Sequence, residues 1–221
     1  PPATQGPSLN QSVNDQNQLV LKINAGANAT LEAIDFTILE NLQIVEVVGG
    51  TFSGLTVTPA STSKIEVVLA AVDLSNLSFG YFVEITNSRS EVTTYGKIGL
   101  SSLDTAARTF TVELDAGSGN TLTDIDLTGT TGLNASIIDG GFGFQSATIL
   151  FESNGSDSFT FALKAVNDKH QVFDFGQISV TWPIGCPIPI ISNAQSDEST
   201  FKDITIDAGF GTTLSSVKFV E

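Results

Sequence analysis

The sequence predicts an all-β protein, and three observations carry that expectation. Apolar and polar residues alternate with a period of two. Leu19, Leu21 and Ile23 alternate with Val20, Lys22 and Asn24, and Phe110, Val112 and Leu114 alternate with Thr111, Glu113 and Asp115. That is the period of a strand, whose successive side chains point to opposite faces. The runs are rich in β-branched and aromatic residues and are punctuated by Gly, Asn, Asp and Ser, which suit turns. Finally, one short motif recurs three times along the chain at nearly constant spacing.

The recurring motif organises the reading. Asn24-Ala25-Gly26, Asp115-Ala116-Gly117 and Asp207-Ala208-Gly209 each follow an alternating run and precede a Thr-Leu pair: Thr30-Leu31, Thr121-Leu122 and Thr213-Leu214. The glycines lie 117−26 = 91 and 209−117 = 92 residues apart. The match continues through Ile34, Ile125 and Val217, then Phe36, Leu127 and Phe219, and Gly49-Gly50 recurs as Gly140-Gly141. Farther on, Phe79, Tyr81, Asn87, Tyr95 and Gly96 match Phe159, Phe161, Asn167, Phe175 and Gly176 at a spacing of 80. The second copy is therefore shorter by 91−80 = 11 residues between positions 54 and 79 of the first, as a loop or edge-strand difference would make it. Each Asx-Ala-Gly group reads as a turn: the Asx side chain bonds the backbone two residues on, and Gly supplies a positive φ.

Taken in order, residues 1–18 are rich in Pro, Gln, Asn and Ser without periodicity and read as a flexible or partner-ordered arm. Residues 19–103 form a first module, with strands expected near 19–24, 31–39, 42–48, 55–58, 64–70, 79–86 and 92–100. Seven short strands in about 85 residues predict an antiparallel β-sandwich, immunoglobulin-like or jelly-roll. Residues 108–182 form the second tandem module, 183–199 a Pro/Ile-rich linker, and 200–221 an incomplete third repeat of two strands. The linker holds Ile184, Ile188, Ile190 and Ile191, too apolar for a solvated segment, so it is expected to pack between modules or in a partner's groove, with Cys186 a buried small residue there or, alternatively, half of an intermolecular disulfide.

Composition excludes several functions. With 9 basic and 24 acidic residues the formal charge is −15, a surface that repels phosphate backbones and so excludes nucleic acid as a partner. One Cys precludes an internal disulfide and a cysteine zinc site, and one His precludes a histidine metal cluster. No apolar run approaches the roughly 20 residues of a membrane-spanning helix. The low charged fraction of 15% and the scarcity of Lys suit an extracellular setting, and from Pro1 the chain reads as a mature or trimmed product. Asn-x-Ser/Thr sequons at Asn10, Asn28, Asn76, Asn134 and Asn154 permit glycosylation.

Catalytic machinery is hard to find. His170 lies in a polar turn, Asn167-Asp168-Lys169-His170-Gln171, with no nucleophile motif beside it. No enzyme activity and no cofactor are expected. Asp124 and Asp126, two apart on a strand, share a face and are the candidate calcium ligands, although calcium needs six to eight oxygens. The bland alternative is a solvated acidic face. Sugar platforms favour Trp and Tyr, and this chain has one Trp, two Tyr and 15 Phe, which points the rings to the core.

The pattern resembles the extracellular β-sandwich repeats of prokaryotic surface proteins, of adhesin or appendage type. In Ile34–Ile38, Leu42–Gly50 and Lys64–Val68 the first module also resembles cohesin-like domains, while the second departs after Leu127. The resemblance implies a secreted structural or adhesive cell-surface protein. The alternative is a carbohydrate- or protein-binding sandwich from a longer multi-repeat protein. The unfinished third copy belongs to a longer array, folds back on the second module, or adds strands to a neighbouring subunit, the last giving a head-to-tail filament. The assembly interface then falls on Phe201, Ile204, Ile206, Leu214, Val217 and Phe219, with Ile188 and Ile190. Partners are copies of the chain, further repeats, glycans or another surface protein.

Overall fold

The computed structural model describes residues 6–74, 76–104, 106–182, 190–194 and 203–207, the last two stretches as backbone only. Two compact units are distinguished, Pro1–Thr181 and Trp182–Glu221. The described residues form strands and no helix. In chain order the first strands are β1 Ser8–Val13, β2 Leu19–Asn24, β3 Leu31–Glu40, β4 Leu42–Val48, β5 Gly50–Ser53 and β6 Thr56–Pro59. β7 Lys64–Ala71, β8 Phe79–Asn87 and β9 Val92–Asp104 follow. After them come β10 Thr109–Asp115, β11 Leu122–Asp126, β12 Leu133–Gly140, β13 Ser146–Ser153, β14 Ser158–Asn167 and β15 Val172–Thr181. The second unit contains β16 Ile190–Ala194 and β17 Asp203–Asp207, paired as a two-stranded antiparallel sheet.

The first unit is a β-sandwich of two sheets. The seven-stranded sheet runs β11-β14-β15-β1-β2-β7-β4, and the eight-stranded sheet runs β12-β13-β10-β9-β8-β3-β6-β5. Both sheets draw strands from 19–103 and from 108–182, so these two stretches share their sheets. The pairing order recurs between them: β2-β7-β4 matches β10-β13-β12, and β3-β8-β9 matches β11-β14-β15. The sheets are exchanged in the second stretch. The trio β2-β7-β4 lies in the seven-stranded sheet, whereas β10-β13-β12 lies in the eight-stranded one.

The length difference falls at an edge. Registers Ile23↔Ile65 and Leu114↔Ala147 set β7 and β13 147−65 = 82 residues apart, against 91 for the strands before them. The surplus in the first stretch is the β5–β6 hairpin at the border of the eight-stranded sheet. In the second, Gly140 and Ser146 stand at the two ends of a short turn between β12 and β13.

Alternating side chains fill the space between the sheets. Leu21, Ile23, Ile34, Phe36, Tyr81, Val83, Phe110, Val112, Phe151, Phe161 and Phe175 are all buried. Rings meet across the layers: Phe110 on β10 stacks 5.5 Å from Phe159 on β14, and Phe151 on β13 stands edge-on to Phe161 on β14 at 5.2 Å. Such aromatic pairs add about 0.5–1.5 kcal/mol beyond the area they bury. Among the described residues seven of the twelve Phe, both Tyr and Trp182 are buried, while Phe52, Phe142 and Phe144 are exposed.

The Asx-Ala-Gly turns have the expected local geometry. Gly26 N donates to Asn24 Oδ1 at 2.9 Å and Gly117 N to Asp115 Oδ1 at 2.7 Å, with φ of 90° and 88° at the two glycines. The third copy's Ala208 and Gly209 lie outside the described residues. Each turn is also pinned from a distance. Buried Asn87, at the β8–β9 turn, donates to the Ala25 carbonyl at 2.7 Å, and buried Asn167, at the β14–β15 turn, donates to that of Ala116 at 2.8 Å.

Candidate functional site: the seam closed by the N-terminal strand

The two halves of the eight-stranded sheet join through a covalent hairpin. β9 leads into β10, with Leu100 opposite Val112 and Gly99 opposite Glu113. The seven-stranded sheet has no such link between β15 and β2. There β1 is inserted, antiparallel to β2 from Ser8↔Asn24 to Val13↔Leu19, and parallel to β15 at Gln11↔Phe173. Without it both neighbours would present open edges. The arm read as lacking periodicity thus contains a strand. Its inward positions, Leu9 and Gln11, are buried, and the amide of Gln11 hid the alternation. Asn14 turns β1 into β2: its Oδ1 accepts from the backbone N–H of Gln16 and of Gln18.

Side chains do much of the work of holding β1. Tyr81 Oη, from the opposite sheet, donates to Gln11 Oε1 at 2.8 Å, and Gln11 Nε2 donates to the Asp174 carbonyl at 3.2 Å. Leu9 N donates to Tyr95 Oη at 3.0 Å, and Tyr95 Oη donates to Gln171 Oε1 at 2.9 Å. Asn167 Nδ2 supports the same Gln171 oxygen at 2.8 Å. Thr93 Oγ1 donates to the Pro7 carbonyl, and Asn10 Oδ1 accepts from Val172 N. Burial pushes the hydroxyl of Tyr81 well above its ordinary range, with nearby Tyr95 and Asp115 adding to it. Burial raises Tyr95 too, partly offset by the Leu9 N–H. Both phenols therefore stay protonated and remain donors.

β1 is shorter than β15. Past Gly176, whose φ is 67°, residues 177–181 pair with β14 on one side and have no strand partner on the β1 side among the described residues. A cleft of about 280 Å³ opens here, floored by Leu69, Leu100, Phe110, Phe161 and Phe175. Its lining is chiefly apolar side chains of both sheets.

A second exposed feature lies at the edge of the eight-stranded sheet. Among the described residues β12 pairs only with β13, and it is exposed along nearly its whole length. Ile137 and Ile138 stand on it with large exposed fractions, as do Phe142 and Phe144 in the turn that follows. Neither feature has a motif in the sequence. Finding them requires knowing which strands end a sheet and where β1 stops.

The residues singled out from the sequence are dispersed. Asp124 and Asp126 are exposed on the edge strand β11. Hydrogen bonds from the hydroxyl and backbone of Thr128 hold the Asp126 carboxyl below its ordinary range. Among the described residues no three His, Cys, Asp or Glu side chains gather as a metal site would need. His170 is exposed in the β14–β15 turn, with φ of 61°. Of the sequons, Asn28, Asn76, Asn134 and Asn154 are exposed, whereas Asn10 is half-buried in β1 and engaged with Val172. Ile204 and Ile206 fall in β17 and Ile190 in β16. Phe201, Leu214, Val217, Phe219 and Ile188 lie outside the described residues, as do Ile184 and Cys186. Among the described residues no helix is long and apolar enough to cross a membrane. A scan of protein-family models finds no match to the chain, and a search of curated proteins finds none either.

Proposed function

We propose that this is a secreted, non-enzymatic structural or adhesive protein of a cell surface, a subunit of an extracellular filament assembled by strand addition. The observation that carries this reading is β1. It is a strand that lies before the first of the two copies, accepted between β15 and β2 and held by side chains as well as by backbone. A fold that completes a sheet in this way has the chemistry for taking a strand from a neighbour. The exposed edge strand β12, with Ile137 and Ile138, gives a second place where main-chain pairing and apolar contact coincide. Acidic charge and scarce Lys suit a protein exposed outside the cell.

The test is negative-stain microscopy of the full chain beside a chain lacking residues 200–221. Filaments from the first and monomers from the second are expected. Filaments that persist without residues 200–221 would remove the C-terminal strands from the assembly, and a monodisperse full chain would end the filament reading.

The cleft beside β15 favours a second reading, a binding module. Its floor of Phe and Leu suits an apolar side chain of a protein better than a sugar, which needs polar ring edges. A monodisperse monomer that binds a surface protein saturably, and loses that binding on Leu100→Arg, would favour it.

A further inference from the structure

The two strands of the second unit carry information about what repeats. In β16 and β17 the pairs are Ile190↔Asp207, Ile191↔Ile206, Ser192↔Thr205, Asn193↔Ile204 and Ala194↔Asp203. In β1 and β2 they include Ser8↔Asn24, Leu9↔Ile23, Asn10↔Lys22, Gln11↔Leu21 and Ser12↔Val20. The two sets superpose pair for pair. The offset is 190−8 = 182 on the first strand and 207−24 = 183 on the second. The second value equals the spacing of Gly26 and Gly209, which comes from the sequence without reference to pairing. Pro7 and Pro189 precede the two first strands at the same offset of 182. The inward positions of β1, Leu9 and Gln11, correspond to Ile191 and Asn193, an aliphatic residue and then a carboxamide in both cases.

A simple third copy would look different. At the junction of the first and second copies, β10 pairs with β9, Leu100 opposite Val112. Carried forward by 80 and 92 residues, that register would set Val180 opposite Ile204. Instead Ile204 pairs with Asn193, as Leu21 pairs with Gln11. β17 therefore has the partner of a first-copy strand, an arm strand preceding it in the chain, and not that of a second-copy strand.

We infer that the repeating unit is the double unit of one arm strand and two copies, with a period of 182 to 183 residues, and that 190–221 is the opening of a second double unit. The arm strand belongs to the repeat. The partner that β17 fits is a strand of the same repeat type, set against it as β7 is set against β2, with Val67 opposite Leu21. This inference rests on strand register and does not depend on the filament reading.

Two extended chains test it. One carries residues 25–107, a single copy, joined after Asp207. The other carries residues 25–181, both copies, at the same point. Amide hydrogen exchange is then followed at 190–194 and 203–207. Protection is expected to rise by about a hundredfold in the two-copy chain and to stay at the level of the parent in the one-copy chain, which carries the β7 equivalent but only about half the strands of each sheet. Equal protection in both chains, or a gain in neither, overturns the double unit. A second measurement reads the register in the parent length. In a Cys186→Ser background, Ser192→Cys with Thr205→Cys is expected to cross-link, whereas Ser192→Cys with Ile204→Cys is not. The reverse result places the strands in another register and overturns the correspondence.

Discussion

Asn87 and Ala25, 62 residues apart, are joined by a 2.7 Å hydrogen bond from the buried side-chain amide to the backbone carbonyl. Asn87 Oδ1 meanwhile accepts from the N–H of Arg89 and of Glu91, so one side chain fixes the β8–β9 turn and ties it to the Asx-Ala-Gly turn. Asn167 repeats the arrangement with Ala116, Lys169 and Gln171. Asn87→Ala and Asn167→Ala are each expected to cost about 2–3 kcal/mol, because each leaves buried polar groups unmet. Denaturant unfolding measures both. The double variant should show a near-additive loss, since the two pins share no partner.

The Tyr81–Gln11 contact should behave as a coupled pair. Tyr81→Phe strands the Gln11 oxygen, and Gln11→Leu strands the Tyr81 hydroxyl and the Asp174 carbonyl. Each single change is expected to cost about 1–3 kcal/mol. The double change should cost less than the sum, by about 1 kcal/mol or more in a double-mutant cycle. Strict additivity would show that the bond contributes nothing to holding β1.

The raised tyrosines predict alkaline sensitivity. A phenol whose folded pKa exceeds its unfolded value of 10.0 contributes stability that is complete below that value. Above it, the unfolded chain releases protons that the folded chain keeps, so stability falls as pH rises. The slope reaches about 1.4 kcal/mol per pH unit for each tyrosine. Tm measured from pH 8 to 11 should be level at first and then decline. The Tyr81→Phe, Tyr95→Phe variant should lose most of that decline while starting from a lower Tm.

Gly96 is set by the side chain opposite it. A Cβ built there meets Asp115 Oδ2 at 2.5 Å, and Asp115 is itself buried, accepting from Gly117 N and from Gln145 Nε2. Gly96→Ala is expected to destabilise by about 1–3 kcal/mol through overpacking. Gly119→Ala, where nothing lies within 4 Å, carries only the strain of its φ of 76° and should cost less. Thermal melts of the two variants check the order.

Much of the architecture was legible in the sequence because alternation and turn chemistry are local. Leu19–Asn24, Phe79–Asn87 and Thr109–Asp115 announce themselves by period two, Lys64–Ala71 by its β-branched residues, and the Asx-Ala-Gly turns by their residues. β1 escaped because its central inward residue is Gln11, whose amide needs Tyr81 from the other sheet before its burial is tolerable. The candidate site was not legible at all. The seam, the cleft past Gly176 and the position of β12 at the end of its sheet are properties of strand order, and no run of residues encodes them by itself.

Strand existence, turn positions, the acidic surface and the spacing of the recurring motif follow from the amino-acid sequence, since each depends on neighbours within a few residues or on composition. The tertiary structure decided the rest. It spread both copies across the same two sheets, placed the arm between β15 and β2, and showed β16–β17 pairing as β1–β2 does. Pairing is long-range: whether a strand meets the one before it or one over a hundred residues away depends on which edges the rest of the sandwich leaves open.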